Sequence, residues 1–172
     1  SLGKSEDLSK KSIFIFKSPF FLFKIFNVIK SLINFKPMQY GIFYSYKMKK
    51  FIDENADNYD LIFFYHIRSS QYLPNYYKGK KIIEMGDLYS SNYNQTYKNL
   101  SILNPFKYIY LLESFFAKKA EAQIFFDFDK IILFSKNEVK KIDRSFKKKI
   151  YQINISVDKL KDKFSFSRNN NK

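Results

Sequence analysis

The chain has 172 residues, enough for one compact domain and too few for two full ones. Hydrophobic residues make up 45% and charged residues 27%, the balance of a folded protein, while the lack of Cys excludes a disulfide framework or thiolate zinc site and the single histidine, His66, excludes a His-rich metal cluster. A formal net charge of +15 points toward anionic partners, but only Arg68, Arg144 and Arg168 of the 31 basic residues are arginine, and base-reading surfaces lean on the arginine fork. Lys, Phe, Tyr, Ile and Asn are abundant while Gly, Pro and Trp are scarce, a bias that an AT-rich coding genome also produces.

The first eleven residues carry Lys4, Glu6, Asp7, Lys10 and Lys11 ahead of no clean apolar run, which is not signal-peptide architecture, so a cytoplasmic location is expected. Residues 13–16 read as a short strand, and Ser18-Pro19 starts a helix that runs to about residue 34. Lys17, Lys24 and Lys30 interrupt this apolar stretch, and each would cost about 3 kcal/mol at a bilayer centre, so it is not expected to span a membrane. A loop over 36–40 leads to a helix over 44–56 with Met48, Phe51 and Ile52 on one face. The clearest strand follows at 61–65, LIFFY, continuously apolar as a parallel strand buried on both faces should be.

Residues 81–85 form the next strand with Gly86-Asp87 as its exit, and 88–99 read as polar helix or loop. Asn104-Pro105 opens the longest helix, to about 126, where Ile109, Leu112, Phe116, Ala120 and Ile124 recur at spacings of three and four and predict a strongly amphipathic element. Glu113 and Glu121 on the same helix read as a solvated stripe. A strand at 131–134 precedes Ser135, an N-cap with Glu138 at capping-box spacing, and a last strand covers 150–155. Residues 159–172 read as a disordered tail or the start of an interdomain linker. The alternation predicts an α/β fold: a Rossmann-like, doubly wound parallel sheet with helices on both faces, and ligands outside the carboxyl ends of the strands.

The residues just past those strand ends are the candidate site. His66 is either a general base or substrate-positioning group, or simply hydrogen-bonded in the structure. Arg68 suits a phosphate or carboxylate, or a structural ion pair. Asp87, after Gly86, either takes a proton from a sugar hydroxyl or caps the next helix, and Ser135 with Lys136 completes the set. The four glycines never cluster, so no nucleotide-binding loop is encoded, and no zinc-finger or aromatic-and-basic nucleic-acid signature is present. A receiver domain is a poor fit, because no acidic cluster follows the first strand.

Four segments in this order carry a resemblance: residues 59–68 (YDLIFFYHIR) followed by Tyr72-Leu73-Pro74; residues 81–93 (KIIEMGDLYSSNY); the helix from Leu111 through Glu121 with residues 128–138 (FDKIILFSKNE); and residues 153–158 (INISVD) at a hinge position. Together they resemble the N-terminal domain of glycosyltransferase family 4, in the branch of sugar transferases of exopolysaccharide clusters, with Arg68 and Asp87 on an arginine and an aspartate of its segments. The hinge departs from that pattern, lacking its Pro-Asn pair and carrying Ser156 where the family has glycine.

The resemblance implies that residues 1–158 are the acceptor-binding half of a GT-B fold, lacking its first strand and loop, in a retaining sugar transferase of bacterial surface polysaccharide synthesis. Asp87 would be catalytic, and Arg68, His66, Gly86, Ser135 and Lys136 would bind a glycan or lipid-linked acceptor. The nucleotide-sugar donor would bind mainly to a C-terminal domain beyond this chain, with no cofactor or metal here and no turnover by this half alone. The helix over 19–35, with Lys24 and Lys30 beside Phe20 and Phe23, would dock on an anionic membrane surface, or else pack on the sheet. The alternative from another class is a non-catalytic basic α/β module that binds nucleic acid or anionic membrane by charge; under the glycosyltransferase reading no nucleic acid is expected.

Overall fold

The computed structural model describes residues 14–16 and 19–154; the predicted tail over 159–172 lies outside them. Four strands, β1 (Leu61–Tyr65), β2 (Lys80–Gly86), β3 (Lys130–Leu133) and β4 (Ile150–Gln152), form one sheet in chain order, and every pairing is parallel. Helices α1 (Phe21–Ile33), α2 (Met38–Ile42) and α3 (Tyr46–Asn55) precede the sheet. The long pair α4 (Tyr89–Asn99) and α5 (Phe106–Asp127) links β2 to β3, and α6 (Lys136–Lys141) links β3 to β4. This is a Rossmann-like α/β architecture. Short 3₁₀ segments at Ile67–Tyr72 and Arg144–Lys149 complete the β1–β2 and β3–β4 connections.

The register puts Phe64, Ile83, Ile131 and Ile150 in one row across the sheet. Together with Met85, Leu133, and Ile124 and Phe128 from the end of α5, that row belongs to one core, into which Met48, Ile52 and Val139 of the other helices also pack. The opposite row runs Tyr65, Glu84, Ile132, Tyr151. On that side Leu61, Phe63 and Tyr65 of β1 are 47%, 52% and 61% exposed, so β1, apolar on both faces in sequence, is covered on one.

Several expectations are corrected. Residues 14–16 form no strand: Phe14 and Phe16 instead bring their rings to 4.6 and 5.5 Å from that of Phe51 on α3. The loop expected over 36–40 contains the start of α2, because Pro37 supplies the fixed φ of a helix entry and Glu113 accepts the Met38 N–H at 2.7 Å. The last strand stops at Gln152, having paired with all that β3 offers from Ile131 to Leu133.

The largest correction concerns α5. Ile109 and Leu112, expected on its apolar stripe, are exposed, whereas the buried positions are Glu113, Phe116, Ala117, Glu121 and Ile124. Glu113 and Glu121 are therefore not a solvated stripe. Each carboxylate satisfies the start of another helix: Glu113 takes the N–H of Met38, and Glu121 takes the N–H of Ser90 at 2.9 Å and its hydroxyl at 2.5 Å. Glu138 of α6 is buried likewise and accepts the Leu88 N–H at 2.6 Å. Two carboxylates thus meet the first turn of α4, whose own N-cap position is Leu88 and offers no side-chain acceptor. The helix dipole favours negative charge there. Ser135 caps α6 by accepting the Glu138 N–H at 3.4 Å, but Glu138 reaches to Leu88 instead of closing the expected capping box.

Candidate functional site

Strand β1 ends at Tyr65, and the chain turns at His66 with φ +67° and ψ 151°, a region that side chains other than glycine rarely adopt. The turn is over-determined. The His66 N–H donates to the Glu84 carbonyl at 2.8 Å, while its own carbonyl accepts the N–H and hydroxyl of Ser69 at 3.1 and 2.7 Å. Its Nδ1 lies 2.9 Å from the Tyr89 hydroxyl, on the first turn of α4. Such a conformation costs about 1–3 kcal/mol, and here it aims the imidazole across the carboxyl end of the sheet.

Strand β2 ends at Gly86, φ +73°, after an irregularity of register between Glu84 and Gly86. Gly86 is buried and its carbonyl accepts the Phe134 N–H at 2.8 Å, so it shapes the strand exit. Asp87 follows, exposed, and it does not cap α4, since Glu121 and Glu138 bond that turn. Of the two roles open to Asp87 in the sequence, the cap is already filled.

Arg68 lies in the 3₁₀ segment that follows His66, with its guanidinium 4.4 Å from the centre of the Phe43 ring. A cation over an aromatic face is held without spending its donors. Burial raises the Tyr89 pKa, the Arg68 charge pulls it down, and Glu84, Tyr65 and Asp87 push it up. Ser135 and Lys136 begin α6 just past β3, Lys136 exposed and Ser135 occupied as the N-cap.

Residue reasoning missed Tyr89, Tyr93 and Glu84. The rings of Tyr65, His66, Tyr89, Tyr93 and Tyr110 follow one another at 4.1, 6.4, 6.2 and 5.9 Å, a line of aromatic groups from the sheet end along α4 to α5. The i, i+4 spacing of Tyr89 and Tyr93 just after a strand exit was the available signal. Tyr93 accepts from Gln39 Nε2 at 3.3 Å, and burial, followed by the Glu113 charge, pushes its pKa up to about 12. Glu84 stands between Tyr65 and Ile132 in the second row of the sheet and is buried there.

Among the described residues no group of His, Asp and Glu side chains is arranged to hold a metal ion. The arrangement has one imidazole with a fixed Nδ1 partner, one guanidinium, one exposed carboxylate and a line of phenols, suited to a ligand bearing hydroxyls and an anionic group. No family model, curated protein or solved structure matches the chain.

At the other end of the described chain, α1 has no buried residue. Phe20 and Phe23 are 70% and 65% exposed, Lys30 is exposed and Lys24 half-buried. No described helix is long and apolar enough to cross a membrane.

Proposed function

We propose that this chain is the acceptor-binding, Rossmann-like half of a GT-B-type retaining sugar transferase acting on a glycan or lipid-linked acceptor, with the nucleotide-sugar donor held by a second domain. The observation that carries the reading is the hydrogen bond of 2.9 Å between His66 Nδ1 and the Tyr89 hydroxyl, which joins the carboxyl ends of the adjacent parallel strands β1 and β2, with Arg68 and Asp87 following those strand ends in sequence, where open α/β sheets bind their ligands. In this reading the Asp87 carboxylate accepts the hydrogen of the acceptor hydroxyl, Arg68 pairs with an acceptor phosphate, and His66, with Nδ1 bonded to Tyr89, presents Nε2 to the sugar. Gly86 sets the approach of the backbone, and Ser135 and Lys136 border the site from β3.

A titration of the chain with farnesyl diphosphate-linked N-acetylglucosamine, followed by amide NMR, tests this. Saturable shifts at His66, Arg68 and Tyr89, with affinity lowered about tenfold or more by Arg68→Ala, are expected. Shifts elsewhere only, or affinities unchanged in both Arg68→Ala and Asp87→Ala, would reject the reading.

The exposed apolar surface of α1 supports peripheral contact with an anionic membrane, where a lipid-linked acceptor would be found. From Phe14 through Ile52 the sequence has no acidic residue, so nothing on this segment repels an anionic headgroup.

A further inference from the structure

Away from the strand ends, two adjoining depressions of about 390 and 260 Å³ share Asn34, Lys36 and Gln71. The larger lies between the end of α1, the segment after β1, and α5, and its volume is in the range of about 300–1,000 Å³ typical of small-molecule sites. None of His66, Arg68, Tyr89 and Asp87 lines either.

The lining chemistry is specific. Asn34 Nδ2 donates to the Lys30 carbonyl at 2.7 Å, Gln71 Nε2 to the Arg68 carbonyl at 2.9 Å, and Gln123 Nε2 to both oxygens of Asp127 at 2.9 Å. Each NH₂ group thus has a partner for at least one of its two hydrogens, and the three amide carbonyl oxygens remain as acceptors, which suits a ligand rich in hydroxyls. Lys36 and Lys119 add positive charge, while Asp127, the one acidic residue lining the larger depression, is tied to Gln123.

The wall at Phe35 is held out at a conformational cost. Its φ is +54°, in the left-handed region that helix ends normally give to glycine, and the turn is closed by Phe35 N–H to Leu32 O at 3.0 Å and Lys36 N–H to Ser31 O at 2.9 Å. The ring is 56% exposed, edge-on to Phe116 at 6.2 Å, with the Lys119 ammonium 4.8 Å from its centre. A large aromatic ring kept at the rim of a polar groove matches the apolar C–H face of a pyranose.

We infer that this groove binds an acidic saccharide, with its hydroxyls on the amide oxygens of Asn34, Gln71 and Gln123, its carboxylate between Lys36 and Lys119, and a ring face on Phe35. The inference goes beyond the transferase reading and uses none of its residues.

The test is NMR titration of the ¹⁵N-labelled chain with tetragalacturonate and with neutral maltotetraose. Saturable shifts of the Asn34, Gln71 and Gln123 side-chain NH₂ signals are expected, with affinity for the acidic probe about tenfold or more higher. Lys36→Ser with Lys119→Ser should abolish that preference. Phe35→Gly, which adopts the same φ without strain, should weaken both probes while leaving the remaining spectrum in place. Arg68→Ala should leave groove binding unchanged. Absent or non-saturating shifts at the three amides, or an acidic preference that survives the double lysine variant, would overturn the proposal. Shifts confined to His66 and Tyr89 would overturn it too, while leaving the strand-end acceptor reading intact.

Discussion

The Glu121 carboxylate, buried within α5, accepts both the backbone N–H and the hydroxyl of Ser90, at 2.9 and 2.5 Å, and so fixes the start of α4 against the middle of α5. Because Tyr89 immediately precedes Ser90, the same contact sets where the His66–Tyr89 bond forms. Glu121→Ala leaves the Ser90 donors without their acceptor, and a destabilisation of about 1–3 kcal/mol per unsatisfied group is expected. Chemical denaturation measures it, and loss of the Tyr89 to His66 contact should appear in the His66 ring NMR signals. A variant as stable as the parent would show that α4 is capped by other means.

Burial holds Glu113, Glu121 and Glu138 all above the ordinary carboxyl value of 4.5, outweighing the hydrogen bonds that pull each of them down. A carboxyl whose folded pKa is raised binds its proton more tightly in the folded state. Its contribution is fully present below 4.5 and is lost as pH rises through the folded value. Glu121→Gln has no such proton to lose. The stability of the parent minus that of Glu121→Gln should therefore decrease as pH is raised from about 4, measured by melting temperature across a pH series. A difference that grows with pH would contradict the sign.

The φ of +67° at His66 separates its two neighbouring substitutions. Both lose the bond to Tyr89, but glycine adopts that conformation freely whereas alanine keeps the strain. His66→Gly is expected to be more stable than His66→Ala by about 1 kcal/mol, read from paired denaturation curves. Equal stability would mean that the backbone relaxes in both. Because neither variant carries the imidazole, both should lose acceptor binding alike, which isolates the strain from the chemistry.

Helix α1 presents Phe23 and Lys30 to solvent, as does Phe20 at its N-cap. Lys24→Ser with Lys30→Ser should weaken co-sedimentation with vesicles containing phosphatidylglycerol, at about 1 kcal/mol per lysine, while binding to neutral vesicles changes little. Equal pelleting of variant and parent would remove α1 from the membrane contact.

The parallel sheet was legible because its strands are short continuous apolar runs separated by helix-length segments, and β1 matched its predicted span residue for residue. Helix α5 was legible in extent, and Phe116, Ala120 and Ile124 of its expected stripe do pack inward, but its first two positions do not. A stripe through Ile109 and Leu112 is what hydrophobic spacing selects, whereas the packed face contains Glu113 and Glu121, which are buried because they bond backbone N–H groups far away in sequence. No local pattern reveals such a partner. At the site, Arg68, His66 and Asp87 could be read from their positions after strands, and of these the structure joins His66 to Tyr89 by a hydrogen bond. Tyr89 itself gave only a weak sign, since its role depends on an unusual backbone angle at His66 that the residue type does not advertise.

Strand β1 lies at one border of the sheet, with no further strand beside it among the described residues, and on the side of Leu61, Phe63 and Tyr65 its aromatic and aliphatic groups are exposed. Such a border is a template on which a further strand can grow. In concentrated solution the purified polypeptide should therefore self-associate along this border, and a lysine introduced at Phe63 should keep it dispersed.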